Sequence, residues 1–144
     1  QADFMTAFEA NVASAFLCAK AVVPHMKALG KGAIINTGSF AGLVSRPGSG
    51  DLAAYGSAKA AVHALTTRMA YQWGPEVRVN CIAPGTIDTP RPSGTVRPEM
   101  ADAANRIPLG RVGYGDDIGK VALFLASDAA GFVNGVTLPV TGGE

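Results

Sequence analysis

Segments with helical spacing alternate along this sequence with short apolar runs, and that alternation limits the fold more than any single motif does. Phe4, Phe8, Val12, Phe16, Ala19 and Val23 recur at intervals of three and four, which defines an amphipathic helix over residues 3–28. Pro24 lies near its end, where a break or kink is expected because the ring removes a backbone donor and crowds the preceding turn. Gly30 and Gly32 bracket a turn before the strand-length run from Ala33 to Thr37. Residues 42–50, GLVSRPGSG, have the composition of a surface loop.

From Leu52 to Trp73 the only helix-weakening residue is Gly56, and the alanines, leucine and methionine favour a second helix that stops at Gly74-Pro75. The run from Val77 to Ala83 is rich in β-branched residues and reads as a strand closed by Pro84-Gly85. Residues 86–112 are proline-rich, with a short helix expected from Glu99 to Asn105. Asp116 and Asp117 open a further helix to about Ala126, where acids suit the positive N-terminal end, and Gly135 to Val140 forms a last strand. Helix, strand, helix, strand, loop, helix, strand is the order of an α/β protein with a parallel sheet and helices on both faces. Three such strands make little sheet for so much apolar surface, so missing strands are expected.

Two stretches carry chemistry. In Tyr55-Gly56-Ser57-Ala58-Lys59 the first and last side chains share one helical face, so an ammonium is placed near a phenol. A neighbouring cation favours the phenolate, which suits a tyrosine to general acid/base work. The second stretch, NTGSFAG at residues 36–42, can be taken either as a glycine-rich phosphate turn or as the display of Ser39 at the C-terminal end of a strand. Val44 stands where a dinucleotide fingerprint needs its last glycine, and a Gly/Pro loop follows where a helix should begin. With Tyr55 sixteen residues downstream, the stretch reads as the serine end of a catalytic site, at the strand end where open α/β sheets place their ligands.

These segments, with NVASAF, VRVNCIAPGTIDTP, IPLGRVG and FVNGVTLPVTGG, occur in the order that the short-chain dehydrogenase/reductase family shows in its C-terminal half. The sequence resembles that family over almost all of its 144 residues. The resemblance implies a Rossmann-like doubly wound sheet, of which residues 1–144 are the C-terminal catalytic and substrate-binding part. It also implies NAD or NADP as cofactor and a small carbonyl or alcohol as substrate. By motif, Tyr55 is the implied proton donor and acceptor, Ser39 steadies the substrate oxygen, Lys59 supports Tyr55 and binds the nicotinamide ribose, and Asn11 holds a relay water. Pro84, Gly85, Ile87 and Thr89 match the segment that contacts the nicotinamide carboxamide, although a threonine before Pro90 is also an ordinary turn residue. The family's TGxxxGxG turn and NNAG segment do not occur in this sequence and are expected upstream of Gln1. The resemblance further implies a homo-oligomer built on a four-helix seam, with Phe8, Phe16, Leu65 and Met69 as candidates that could equally pack within one chain. Pro92, Arg97 and Met100 are candidates for a substrate lid.

Twelve basic and eleven acidic residues, a net charge of +1 and no block of like charge argue against nucleic acid and anionic membrane as partners. No uninterrupted apolar run approaches the roughly 20 residues of a membrane span. Cys18 and Cys81 lack metal or redox spacing and read as reduced thiols, in keeping with a cytoplasmic protein. His25 and His63 have no partners at metal-ligand spacing, so no metal site is expected, and both read as structural or solvent-facing.

Overall fold

The computed structural model describes residues 2–45, 52–89 and 99–144. Its first feature is one continuous helical stretch made of α1 (Ala2–Phe8), a π-helical turn (Glu9–Ala13) and α2 (Ser14–Ala28). The helix runs on through Pro24 to Ala28, so of the break or kink expected at the proline, the break does not occur. The donor that Pro24 lacks would have met the carbonyl of Lys20, and both residues are exposed, so solvent can serve that carbonyl. Meanwhile Val23 and Met26 hold the last turns against the core.

Asp3–Ala28 has a mean hydropathy of 1.3 over its most apolar window and is long and apolar enough, by length and composition, to cross a membrane. The core helix of a globular protein passes the same test, and the expectation that no uninterrupted apolar run reaches a span's length stands, since charges such as Glu9 and Lys20 interrupt the stretch. Here the helix lays Ala19 and Val23 onto the sheet.

β1 (Gly32–Thr37), β2 (Val77–Pro84) and β5 (Thr137–Val140) form a parallel sheet in the order β1-β2-β5, with Ile34 opposite Val79 and Ile82 opposite Leu138. The long helix α3 (Ala53–Trp73) makes the crossover between β1 and β2. Alternation along β2 sends Val77, Val79 and Cys81 to one face and Arg78, Asn80 and Ile82 to the other. The first face is covered by α2 and α3, whose Ala19, Val23, Met69, Ala70 and Trp73 form the main core with Val77 and Val79. Burying a side chain such as Met69, 1% exposed, is worth about 1.5–3 kcal/mol. Helix α5 (Gly115–Ala126) packs on β1 and β2, and Leu125 is fully buried there.

Met69 and Leu65 therefore pack inside the chain and are not free to form an intersubunit seam. Phe16 remains 38% exposed, and Phe8 stacks on Phe4 at 4.7 Å between ring centroids. Met100, on α4 (Glu99–Arg106), joins a small cluster with Ala103, Ile107 and Val112 instead of standing as a lid residue, while Pro92 and Arg97 lie outside the described residues. Two strands too short for a sequence pattern to reveal, β3 (Ile87–Asp88) and β4 (Gly113–Tyr114), pair in parallel.

Polar side chains fasten the turn that precedes β5. Asn80, 1% exposed, donates to the Val133 carbonyl at 2.9 Å and accepts the Val136 N–H at 3.1 Å. Asn134 returns the arrangement, accepting the Val79 N–H at 2.8 Å. The guanidinium of Arg78 donates to the carbonyls of Leu125 (2.8 Å) and Ser127 (3.1 Å), closing the end of α5. Asn80→Ala strands one donor and one acceptor, and we expect it to lower the unfolding free energy by about 2 kcal/mol or more, read from urea denaturation. An unchanged midpoint and slope would show that the pair is satisfied in some other way.

Candidate functional site

One face of α3 is bonded, residue by residue, to the C-terminal end of β1. Thr66 is fully buried and its hydroxyl accepts from the Asn36 amide at 2.9 Å while donating to Val62 O. One turn earlier the His63 ring accepts the backbone N–H of Ser39 on Nε2 at 3.3 Å. A further turn back, the Lys59 ammonium donates to the Thr37 carbonyl at 2.9 Å. The same ammonium lies 5.6 Å from the centre of the Tyr55 ring. Lys59, His63 and Thr66 thus recur at helical spacing, and each holds one of residues 36–39.

Gly38 continues the sheet by donating to Ile82 O at 2.8 Å, and it has no room for a side chain. A Cβ there would overlap His63 and approach Cys81 Sγ to 2.8 Å. Gly42 is equally constrained, since its Cβ would lie 2.7 Å from Ala60 N and 2.8 Å from His63 Cε1. The glycines of NTGSFAG are therefore packing requirements of α3. Between them Ser39 is extended and caps a single turn at Phe40–Gly42, its Oγ accepting the Ala41 N–H at 3.2 Å. With a lone pair used in that way, the hydroxyl proton is left to donate outward.

Burial and, secondarily, the charge of Lys59 push the His63 imidazole below its ordinary range, toward the neutral ring that can accept on Nε2. Burial also pushes the Cys81 thiol up, and Cys81 and Cys18 are both free. Of the two readings open for His63, structural or solvent-facing, its burial excludes the second, and its partner Ser39 was not foreseen. Helical spacing from Lys59 was the available signal.

Asn11 falls inside the π-helical turn, a departure from regular winding that is frequent at functional sites. Its amide donates to Ala7 O at 2.8 Å, so the side chain is turned onto its own helix. The turn itself packs against α3. Pro84 ends β2, and Gly85 donates to Val140 O at 3.0 Å. Thr86 donates through its backbone N–H and its hydroxyl to the two oxygens of the Glu144 carboxylate, both at 2.9 Å. No motif or spacing pointed to Glu144 as a contact here. Ile87 lies in β3, opposite Gly113, and Thr89 is exposed at the border of the described residues.

The β3–β4 pair is itself braced. Arg111 grips Asp117 with two bonds of 2.8 and 2.9 Å, and Asp117 also accepts the Tyr114 N–H at 2.8 Å. These bonds, Arg111 first, hold the Asp117 carboxyl well below the usual carboxylate range.

A cleft of about 720 Å³ opens beside these elements, with Ser39, Phe40, Leu43, Gly56, Thr86 and Glu144 in its wall. Tyr55, 38% exposed, and Lys59, 9% exposed, are not among its lining residues. The structure thus gathers Tyr55, Lys59 and Ser39 around the ends of β1 and α3, sets Pro84, Gly85 and Ile87 at the end of the neighbouring strand, and leaves the Asn11 side chain bonded elsewhere. No cluster of three or more potential metal ligands occurs among the described residues.

The family described as enoyl-(acyl carrier protein) reductase matches residues 1–144. Cis-4-hydroxycyclohexanecarboxylate dehydrogenase of Sinomonas cyclohexanicum is 40% identical over 136 residues, which cover 94% of this chain and 53% of that protein. The trans-4-hydroxycyclohexanecarboxylate dehydrogenase of the same organism is 41% identical, over 99% of this chain and 52% of its own length. Among solved structures, a 7α-hydroxysteroid dehydrogenase complexed with NADH and 7-oxo glycochenodeoxycholic acid superposes with a TM-score of 0.88 at 38% identity, covering 99% of this chain and 55% of that one. A gluconate 5-dehydrogenase from Burkholderia cenocepacia in complex with NADP and tartrate gives 0.85 at 34% identity, over 99% of this chain and 56% of that one. The chain spans about half the length of the curated relatives it matches. Matched along its whole length and sharing with solved dehydrogenases the frame that carries Ser39, Tyr55 and Lys59, the chain belongs to the short-chain dehydrogenase/reductase family.

Proposed function

We propose that the protein carrying this chain is an NAD(P)-dependent oxidoreductase that interconverts a secondary alcohol and a ketone, with Tyr55 as general acid/base. The observation that carries this reading is the placement of the Lys59 ammonium, 5.6 Å from the Tyr55 ring and held by Thr37 O beside Ser39. Relatives named as dehydrogenases of hydroxycyclohexanecarboxylates support the alcohol and ketone pair as substrate class. The neighbours bound to NADH and to NADP support the cofactor class.

The residues present fit the nicotinamide end of such a cofactor. The Lys59 ammonium is nearly buried yet, among the described residues, bonds one protein acceptor with its three N–H donors, so further oxygens can be accommodated there. Ribose hydroxyls would supply them. Pro84, Gly85, Ile87 and Thr89 are the residues for the carboxamide, and the Thr86 donors, which hold a carboxylate here, show the polarity of that strand end. When bound, the nicotinamide supplies the acceptor or donor of the hydride at the substrate carbon.

In the alcohol-oxidising direction Tyr55 takes the hydroxyl proton, and in the reverse direction it returns it to the ketone oxygen. The Ser39 hydroxyl, one lone pair already committed to Ala41 N–H, donates to that same oxygen. Lys59 stabilises the negative charge that Tyr55 carries between proton transfers. Asn11 holds a relay water, a role its place in the π-helical turn against α3 supports. The protein is proposed to work in the cytoplasm, consistent with two free cysteines, and to form homo-oligomers through outer apolar residues of α1 and α2 such as Phe4, Phe16 and Leu17.

A second reading has its own observation: the outer edge of β1 has no strand partner among the described residues, although Ala33, Ile34 and Ile35 are half-buried. On that reading the 144-residue chain by itself is a folded or self-associating module without turnover.

Two outcomes are expected. Tyr55→Phe in the protein carrying this chain should lower kcat by about 10²–10⁴-fold while NADH or NADPH binding, read by nucleotide fluorescence, stays nearly unchanged. An undiminished kcat would remove Tyr55 from the mechanism. Titration of NADH and NADPH into the isolated chain should give no saturation in the low micromolar range, because the pyrophosphate has no glycine-rich turn in this sequence to anchor it. Tight, saturable binding would overturn the second reading.

A further inference from the structure

We propose that His63 is a positioning residue for Ser39, its Nε2 accepting the serine's backbone N–H and so fixing where the hydroxyl stands relative to Tyr55. The inference rests on the catalytic reading of Ser39 given above and adds a residue to that site.

The ring is placed for this task by three independent features. It is 8% exposed on the face of α3 that also carries Lys59, and its partner lies at the other end of a 24-residue separation, so the bond joins helix to strand end. Glycine at 38 and at 42 leaves the space that the ring fills, and a Cβ at either position would overlap it or come within 2.8 Å of it. The bond also has a required direction: an N–H must meet a ring nitrogen that carries a lone pair, so the proton of the neutral ring belongs on Nδ1. Among the described residues, the charge of Lys59 on the same helix favours the neutral ring, and the Cys81 thiol, which shares the space beside Gly38 with it, is pushed up by burial.

The functional consequence follows from how little freedom Ser39 retains. Its Oγ is tied to Ala41 N–H, its own N–H to His63, and the Thr37 carbonyl two residues earlier to Lys59. Released from His63, the serine keeps the Oγ bond, which turns with it, and loses the one bond from its own backbone to the helix that bears Tyr55. A displacement on the order of 1 Å at a reacting group costs up to about 10²-fold in rate.

The test compares His63→Leu, His63→Gln and Ser39→Ala in the protein that carries this chain. Leucine fills the space without an acceptor, whereas the glutamine amide oxygen reaches roughly as far as Nε2. His63→Leu should lower kcat by about 10–100-fold with the cofactor KM within about twofold, and His63→Gln should recover most of that loss. Ser39→Ala sets the floor for losing the hydroxyl. Should Ser39→Ala leave kcat intact, the catalytic reading of Ser39 falls and the positioning role with it. Should Ser39→Ala be crippled while His63→Leu turns over normally, the positioning role alone is overturned, as it is if glutamine rescues no better than leucine. Because the leucine variant could fail to fold, the unaltered protein supplies a second readout. Its ¹⁵N spectrum near pH 7 should show His63 Nε2 unprotonated and coupled to the Ser39 amide, and a proton on Nε2 would overturn the assignment.

Discussion

The bond from Lys59 to the Thr37 carbonyl is the constraint on which the rest of the site depends. Where a strand leaves its sheet, backbone carbonyls and N–H groups lose their ladder partners, and these groups must be satisfied from somewhere. In this chain they are satisfied by the helix that follows. Lys59 takes the carbonyl, His63 takes the Ser39 N–H, and Thr66 takes the Asn36 amide. One set of bonds therefore finishes the strand and ties it to the helix that carries Tyr55. The tyrosine and the serine are carried by two elements that could not shift against one another without breaking several of these bonds.

The alternating pattern of helix and strand was legible in the residues, and so was the pairing of Tyr55 with Lys59, because both depend on local spacing. The strands at Ala33 to Thr37 and Val77 to Ala83 fall within β1 and β2, since runs of β-branched residues between Gly/Pro turns have few other homes. What escaped was non-local. The acceptor role of His63 concerns a backbone N–H 24 residues away, and a histidine among alanines and leucines looks like ordinary core. The π-helical turn around Asn11 has no compositional mark, and β3 and β4 are each two residues long, too short to show a period. Pro24 misled for a related reason: the rule counts the lost donor but not the tertiary contacts of Val23 and Met26 that keep the helix in place.

Opposite faces of the sheet do different work. The α2 and α3 face of β2 is apolar at Val77 and Val79 and turns to chemistry only at its C-terminal end, where Cys81 lies below Gly38. The α5 face is polar at Arg78 and Asn80, and both side chains are spent on backbone groups of residues 125–136. Such buried polar groups specify one arrangement more sharply than apolar packing does, because a shifted register would strand each of them. The strand thereby fixes the connection to β5, and with it the course of the chain toward Glu144 beside the cleft.

The short ladder between β3 and β4 has a consequence for how such a site can diversify. Ile87 and Asp88 are held by Gly113 and Tyr114, which are themselves braced by Arg111 and Asp117, while α4 is seated by its own cluster of Ala103, Ile107 and Val112. Ile87, Asp88 and α4 are thus anchored by contacts among described residues alone. Loop-closure entropy grows only slowly with length once the ends are fixed. A change in the number of residues between Thr89 and Glu99 is therefore expected to cost little stability and to leave the bonds that join β1 to α3 where they are.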